Sequence, residues 1–244
     1  LDATTTGVGE LIDHALDAGA DRIIVGLGGS ASTDGGFGAI RAINAIARLR
    51  HVELLVACDV TTRFIDAAPV FAPQKGASPA QVKMLRNRLE RLAQMFIEDF
   101  SIDVAEIDGG GAAGGLGGAR VALGGRLVPG AELVADEVDL FDALEPHGAP
   151  VDLVITGEGR FDDTSLDGKV VGSIASFATD AGIDTLALCG SADPDAVQRV
   201  ERDGHRLSIT TLVDHVGEAR AFAEPKACLE ALATEQLTRL LDTV

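Results

Sequence analysis

Four glycine-rich segments carry residue types that could do chemistry. They read GLGGSASTDGG at 26–36, ACDV at 57–60 with FAPQKGAS at 71–78, DGGGAAGGLGG at 108–118, and TGEGRFDDTSLDGK at 156–169. Glycine lets bare backbone N–H groups approach an anion, and hydroxyls, carboxylates and lysines accompany the glycines here. Phosphoryl transfer uses these parts, because cations and backbone donors neutralise phosphoryl oxygens while a carboxylate holds Mg²⁺ or orients the attacking hydroxyl. The combination favours a small-molecule kinase.

Two other classes of function remain open on these residues. Gly26, Gly28 and Ala31 match the G-x-G-x-x-[GA] pattern of dinucleotide-binding loops, as do Gly109, Gly111 and Gly114. The acidic residue that would bind the ribose about 20 positions later is missing, since residues 47–51 read ARLRH. A nicotinamide-dependent oxidoreductase is therefore the weaker alternative. A non-catalytic α/β module that senses a phosphorylated metabolite is the other.

The composition limits which kinds of binding partner and which cellular compartment suit this chain. The 244 residues carry a formal charge of −18, which makes nucleic acid or an anionic membrane surface an unfavourable partner. The chain has no Trp or Tyr to stack on bases, and no apolar run long enough to cross a membrane. Its three cysteines are too widely spaced for a disulfide framework or a zinc motif, which favours a reducing cytoplasm. Homo-oligomer formation is left open.

The elements that must position these segments follow from hydrophobic periodicity. Short apolar runs predict strands at 22–27, 52–57, 151–156, 185–190 and 207–213. Helical spacing predicts helices over 9–18, from 36 to about 47, over 78–100, 170–181 and 194–202, and from 218 to 241 with a break at Pro225. Ser78, Pro79 and Gln81 mark the start of the long helix. The alternation predicts an α/β protein with a mostly parallel sheet, and the glycine-dense stretch 101–135 predicts a loop-rich region.

Taken in order, the four segments resemble the successive motifs of the bacterial glycerate kinase family. The resemblance implies ATP-dependent, Mg²⁺-assisted phosphorylation of D-glycerate to 2-phosphoglycerate. It also implies two α/β domains with a cleft between them: a Rossmann-like domain from residues 1–48 and 140–244, and an inserted domain from 49–139. Members of the family usually begin about 80 to 100 residues earlier. On that basis we expect the 244-residue chain to be a fragment without kinase activity of its own.

The resemblance and the residue chemistry together predict the site. The expected catalytic residues are Asp34, Asp59, Lys75 and Glu158, and the expected Mg²⁺ ligands are Asp59 and Asp162. The expected nucleotide-binding residues are Gly28, Gly29, Ser30, Ser32, Thr33, Gly35, Gln74, Gly110, Gly111, Gly114, Gly115, Gly157, Gly159, Arg160 and Lys169.

The charged residues of this predicted site also have purely structural interpretations. Asp34 could cap the helix that follows it, and Asp59 could close a turn after its strand. Lys75 and Lys169 could be ordinary solvated lysines, and Glu158, Arg160 and Asp162 could belong to a tight turn with a surface ion pair. The sequence alone does not separate these interpretations from the catalytic ones.

Overall fold

The computed structural model describes residues 2–145 and 150–242. The chain divides into two compact units, Leu1–Leu133 and Val134–Val244. Each unit contains a three-stranded parallel sheet together with helices, and this confirms the α/β class. None of the described helices is long and apolar enough to cross a lipid bilayer.

The first unit is built on three parallel strands in the order β1, β2, β3. The strands are β1 (Arg22–Gly26), β2 (Glu53–Ala57) and β3 (Arg126–Val128). The helices are α1 (Thr6–Asp17), α2 (Phe37–Ala42), α3 (Ala67–Phe71), α4 (Pro79–Phe100) and α5 (Ala112–Ala122), and α6 (Gly130–Glu137) leads into the second unit. Short 3-10 turns lie at Ile46–His51, Pro73–Lys75 and Val104–Glu106.

The register of this sheet brings the candidate motifs to one edge. Val25 lies opposite Val56, and Val56 lies opposite Leu127. Because the strands are parallel, the segments that follow them leave from the same edge. Those segments are 27–36, 58–66 and 129–130, so the first two motifs start from neighbouring strand ends.

The long helix α4 forms as its sequence predicts. The Ser78 backbone N–H donates to Gln81 Oε1 at 2.8 Å and the Gln81 N–H donates to Ser78 Oγ at 3.4 Å, which completes the capping box. Leu85, Leu89 and Phe96 form its buried stripe, and the Phe96 ring packs edge-on against Phe64 at 5.8 Å between centroids. This packing holds α4 beside the segment that follows β2.

The second unit has its own parallel sheet, in the order β4, β6, β8. Its strands are β4 (Leu153–Thr156), β5 (Arg160–Phe161), β6 (Asp184–Cys189), β7 (Ser191–Ala192) and β8 (Leu207–Thr211), with β5 and β7 forming a separate pair. Its helices are α7 (Leu140–Leu144), α8 (Val170–Asp180), α9 (Pro194–Asp203), α10 (Leu212–Val216), α11 (Glu218–Ala223) and α12 (Pro225–Leu241), and a 3-10 turn lies at Asp163–Ser165.

Two expectations differ from the structure. The stretch 101–135 is not loop-rich, because α5 and β3 lie within it; the glycines allow close packing there rather than a loop. Helix α2 ends at Ala42, earlier than its periodicity suggested, because Ile43 adopts an extended backbone. The expected domain bounds, 1–48 with 140–244 and 49–139, stay a prediction; in the structure β1 pairs with β2 along five residues within the first compact unit.

Candidate active site

The loop after β1 presents open backbone. Gly28 and Gly29 are exposed, and a Cβ added at either would meet no atom within 4 Å. Gly29 has φ +64°, a left-handed conformation that glycine adopts without strain. Ser30 and Thr33 are half-buried and Ser32 is buried. The first half of this loop therefore has the accessibility that an anion-binding loop needs.

Lys75 joins this loop to the 71–78 motif. Its Nζ donates to Ser30 Oγ at 2.9 Å and to the Ser32 carbonyl oxygen at 2.6 Å. Burial lowers the pKa of Lys75, and the negative charge of Asp34 opposes that effect. The neighbouring Gln74 is exposed. The structure thus brings together two motifs that lie more than 40 residues apart in the sequence.

Asp34 is held entirely by the protein. Its Oδ2 accepts hydrogen bonds from the Thr5 N–H and Thr5 Oγ1, both at 2.8 Å, and from the Gly38 N–H at 3.2 Å. Thr4 Oγ1 donates to the same oxygen at 3.2 Å, and the Gly36 N–H donates to Oδ1 at 3.2 Å. The carboxylate ties the start of α1 to the start of α2, so these contacts agree with the capping interpretation.

Asp59 lies at the carboxyl end of β2 and is exposed. Its Oδ1 accepts a hydrogen bond from the Gly130 N–H, the first residue of α6, at 2.7 Å. No other hydrogen bond reaches its carboxylate from the described residues. Asp59 therefore caps a helix with one oxygen and leaves the other accessible.

The third glycine segment is buried and packs against the first two motifs. Gly110, Gly111, Gly114 and Gly115 are all buried, and the Gly35 N–H, also buried, donates to the Gly114 carbonyl oxygen at 3.0 Å. Three of the four amides donate to protein carbonyl groups: Gly110 to Ile107 (3.0 Å), Gly111 to Thr62 (2.9 Å) and Gly115 to Gly111 (3.1 Å). This burial favours a structural role, and the expectation that these glycines cradle phosphate stays a prediction. Their small size instead lets backbone segments approach each other.

Arg120 in α5 is a residue that the sequence analysis did not identify. Its side chain is completely buried, and none of its three guanidinium nitrogens has a hydrogen-bond partner among the described residues. Burial lowers its pKa to about 10, against the opposing effect of Asp34. Nothing in the local sequence signals this position, because its burial depends on the packing of α5 in the first unit.

In the second unit, the segment after β4 forms a separate candidate site. Gly157 and Gly159 are exposed and Glu158 is half-buried, with its Oε1 buried and without a hydrogen-bond partner among the described residues. The Gly190 N–H donates to the Glu158 carbonyl oxygen at 3.1 Å, so the carboxyl ends of β4 and β6 meet here. An open, mostly apolar cavity of about 830 Å³ lies at this edge, lined by Glu158, Gly190 and Phe222 among others.

The remaining polar residues of this motif bind one another. Asp162 Oδ1 accepts from the Thr164 N–H at 3.0 Å and from Thr164 Oγ1 at 2.5 Å, and Lys169 Nζ lies 3.6 Å away. The Thr164 hydrogen bond and the charge of Lys169 lower the pKa of Asp162. Arg160 is exposed, with a guanidinium nitrogen 3.9 Å from Asp193. These contacts agree with the structural interpretation of Asp162, Arg160 and Lys169.

The two expected metal ligands lie in different units, Asp59 in the first and Asp162 in the second. Within residues 2–145 and 150–242, no group of three or more His, Cys, Asp or Glu side chains could hold a metal ion. Protein carboxylates in the described structure therefore do not by themselves form a closed metal cage.

Comparison with known proteins identifies the family to which this chain is similar. The sequence model of the glycerate kinase family matches residues 1–47 and 44–242. The chain is 37% identical over 262 residues to the glycerate 2-kinase of Escherichia coli, covering 93% of this chain and 68% of that protein. It is 36% identical over 258 residues to the glycerate kinase of Bacillus cereus, covering 92% of this chain and 66% of the relative.

A further sequence relative and a solved structure show how much of each protein's length this chain matches. An uncharacterized protein of Mycobacterium bovis is 40% identical over 248 residues, covering 98% of this chain and 64% of that protein. The chain thus spans about two thirds of the length of these relatives. The crystal structure of a Salmonella typhimurium protein named as a candidate glycerate kinase 2 superimposes with a TM-score of 0.69 at 33% identity, covering 96% of this chain and 70% of that one. The family model and these relatives show that the chain belongs to the glycerate kinase family.

Proposed function

We propose that the protein containing this chain is a cytoplasmic kinase that transfers the γ-phosphoryl group of ATP to D-glycerate and forms 2-phosphoglycerate. Membership of the glycerate kinase family supports the substrate class. The observation that carries the proposal is the contact of Lys75 with Ser30 and Ser32 beside the open glycines 28 and 29. It combines a positive charge with accessible backbone amides, which is how proteins bind phosphate groups.

Only a few of these groups need to take part in the reaction. A hydroxyl oxygen of glycerate bonds to the γ-phosphorus, the bond from that phosphorus to the bridging oxygen of ADP breaks, and the hydroxyl proton passes to a base. We propose that Lys75 and the amides of Gly28 and Gly29 bind phosphoryl oxygens, whose charge the transition state spreads.

Mg²⁺ fits this site only as a partner of the nucleotide. It commonly uses one or two carboxylates together with substrate phosphates, so it needs no cage made wholly of protein. Asp59 has a suitable accessible oxygen, whereas Asp162 already accepts two hydrogen bonds from Thr164. We therefore propose that Asp59 would hold the ion, which when bound would neutralise charge on the phosphates.

The test uses the natural polypeptide that contains this chain, incubated with ATP, Mg²⁺ and D-glycerate. We expect ADP to form only when glycerate is present, and phosphorus NMR of the product to distinguish 2-phosphoglycerate from 3-phosphoglycerate. Binding of ATP without any glycerate-dependent ADP formation would contradict the proposal and would favour a sensing module instead.

A further inference from the structure

A cavity of about 480 Å³ lies within the first unit, between α4 and the segment that leads into α2. One wall is a stripe along α4 whose members are spaced by four, three, four and three residues: Gln81, Leu85, Arg88, Leu92 and Met95. Thr33, Asp34, Phe37 and Lys75 also line the cavity. We call this space the α4 cavity. Its volume falls within the usual range for small-molecule sites, about 300–1,000 Å³.

The α4 cavity is cationic in a strongly anionic chain. Lys75, Arg88 and Arg91 line it, whereas the whole chain carries a formal charge of −18. Neither Arg88 nor Arg91 has an ion-pair partner among the described residues, although Arg86 on the same helix lies 3.3 Å from Glu90. Two unpaired guanidinium groups next to a lysine are suited to binding phosphate or carboxylate oxygens.

The lining carboxylate cancels only part of this charge. Asp34 lines the α4 cavity and its negative charge acts on Lys75, but three cationic side chains line the same cavity. The lining therefore keeps an excess of positive charge for an anionic ligand.

Apart from Gln81 and Thr33, the rest of the lining is apolar. Leu85, Leu89, Leu92 and Met95 line the helix side, and the Phe37 ring, 38% exposed, lines the other. A ligand that suits both halves has an anionic end and an apolar or aromatic body. Glycerate lacks such a body, because every carbon of this three-carbon acid carries oxygen. A nucleoside phosphate has both parts.

We propose that the α4 cavity binds the nucleoside triphosphate that donates the phosphoryl group, with its phosphates near Lys75, Arg88 and Arg91 and its base against the apolar wall. This inference rests on the proposed kinase function and identifies which of the two substrates enters the cavity. Lys75 belongs both to the cavity and to the Ser30–Ser32 contact, so it links the bound phosphates to the open glycines of the preceding loop. Arg88 and Arg91 become residues that determine donor affinity.

The first experiment measures ATP binding to the 244-residue chain by calorimetry, in the absence of glycerate. The test variant is Arg88→Gln with Arg91→Gln. The control is Lys83→Gln with Arg86→Gln, which removes the same charge from the same helix but at positions that do not line the cavity. We expect the test variant to raise the dissociation constant at least tenfold and the control to raise it less than threefold.

The second experiment uses the absence of Trp and Tyr from the chain. Met84 and Met95 are both half-buried on α4, but only Met95 lines the cavity. We expect the fluorescence of Met95→Trp to change saturably with added ATP, while that of Met84→Trp stays constant. This readout remains informative if the arginine variants fold poorly.

Three results would overturn the inference. The first is equal ATP affinity in the test and control variants together with unchanged Met95→Trp fluorescence on addition of ATP. The second is a loss of D-glycerate binding instead of ATP binding in the test variant. The third is the absence of ATP binding by the unaltered chain. Each leaves the proposed function to be judged separately, by glycerate-dependent ADP formation in the natural polypeptide.

Discussion

Lys75 and Lys169 share a glycine-rich setting in the sequence but have different surroundings in the structure. Lys75 is half-buried and its ammonium group contacts Ser30 and Ser32. Lys169 is exposed, and its ammonium nitrogen lies 3.6 Å from the half-buried Asp162. An exposed ion pair contributes little energy, whereas a desolvated cation interacts strongly with phosphate.

This contrast predicts unequal effects of the same substitution. In the natural polypeptide, Lys75→Met should weaken ATP binding or the chemical step by about 2 kcal/mol, or about 30-fold, because it removes charged hydrogen bonds in a partly desolvated site. Lys169→Met should change the same constants less than about threefold. Steady-state kinetics with ATP varied at saturating glycerate measure both. If Lys75→Met altered only the glycerate dependence, Lys75 would belong to the acceptor site.

Asp34 and Asp59 also differ in how much the fold depends on them. Asp34→Asn should lower the free energy of unfolding by about 1.5–3 kcal/mol, since the charged acceptor of five hydrogen bonds is lost. Asp59→Asn should change it by less than about 0.5 kcal/mol, because Asn can still accept from the exposed Gly130 N–H. Urea unfolding of both variants tests this. Equal stability of the two would show that the Asp34 contacts contribute nothing to the fold.

At the scale of elements, the start of α5 decides where the loop after β1 lies. A Cβ at Gly114 would overlap the Ser32 carbonyl oxygen, and one at Gly115 would lie 2.7 Å from the Gly35 Cα. The same Ser32 carbonyl accepts the hydrogen bond from Lys75. The buried glycines therefore act on the candidate site through the position of a neighbouring loop.

Two glycines, Gly114 within α5 and Gly124 just after its end, distinguish the effect of this packing from that of backbone strain alone. Gly114 and Gly124 both have left-handed φ, +69° and +88°, but a Cβ at Gly124 would meet nothing within 4 Å. Gly114→Ala should lower the free energy of unfolding by about 3 kcal/mol through strain and overlap, and Gly124→Ala by about 1 kcal/mol through strain. Thermal unfolding followed by circular dichroism compares them. Similar losses in the two variants would argue against the close packing at Gly114.

At the scale of the whole molecule, each unit has the parts of an independent domain. The first unit contains its own sheet and a core that includes Leu55, Phe64, Leu89 and Phe96, all at most 1% exposed. A domain with its own core can fold alone.

We therefore expect the fragment 1–139, which retains all of α6, to unfold cooperatively. Because the fragment lacks Trp and Tyr, far-ultraviolet circular dichroism during heating or urea titration is the suitable measurement. A gradual loss of signal without a transition would mean that this core does not suffice for folding. The intact chain, measured under the same conditions, is the reference.

Local patterns in the sequence determined much of the fold. The apolar runs at β1, β2, β4 and β6, and the Ser78 capping box, depend on neighbouring residues, so they are visible without a structure. The order of the glycine motifs likewise indicated the glycerate kinase family, which the comparisons confirm. The sequence predicted that the 26–36 and 71–78 segments belong to one site. It did not predict that Lys75 would contact Ser30 and Ser32.

Tertiary structure decided what each motif residue does. Asp34 meets Thr5 across 29 positions, and the 108–118 glycines, which read as a loop, are buried because α5 packs on segments from elsewhere in the chain. Helical spacing predicted α4 over 78–100, but not that Arg88 and Arg91 would line a cavity with Lys75. Such proximity arises between residues far apart in sequence, and helical spacing carries no information about which neighbour a given face will meet.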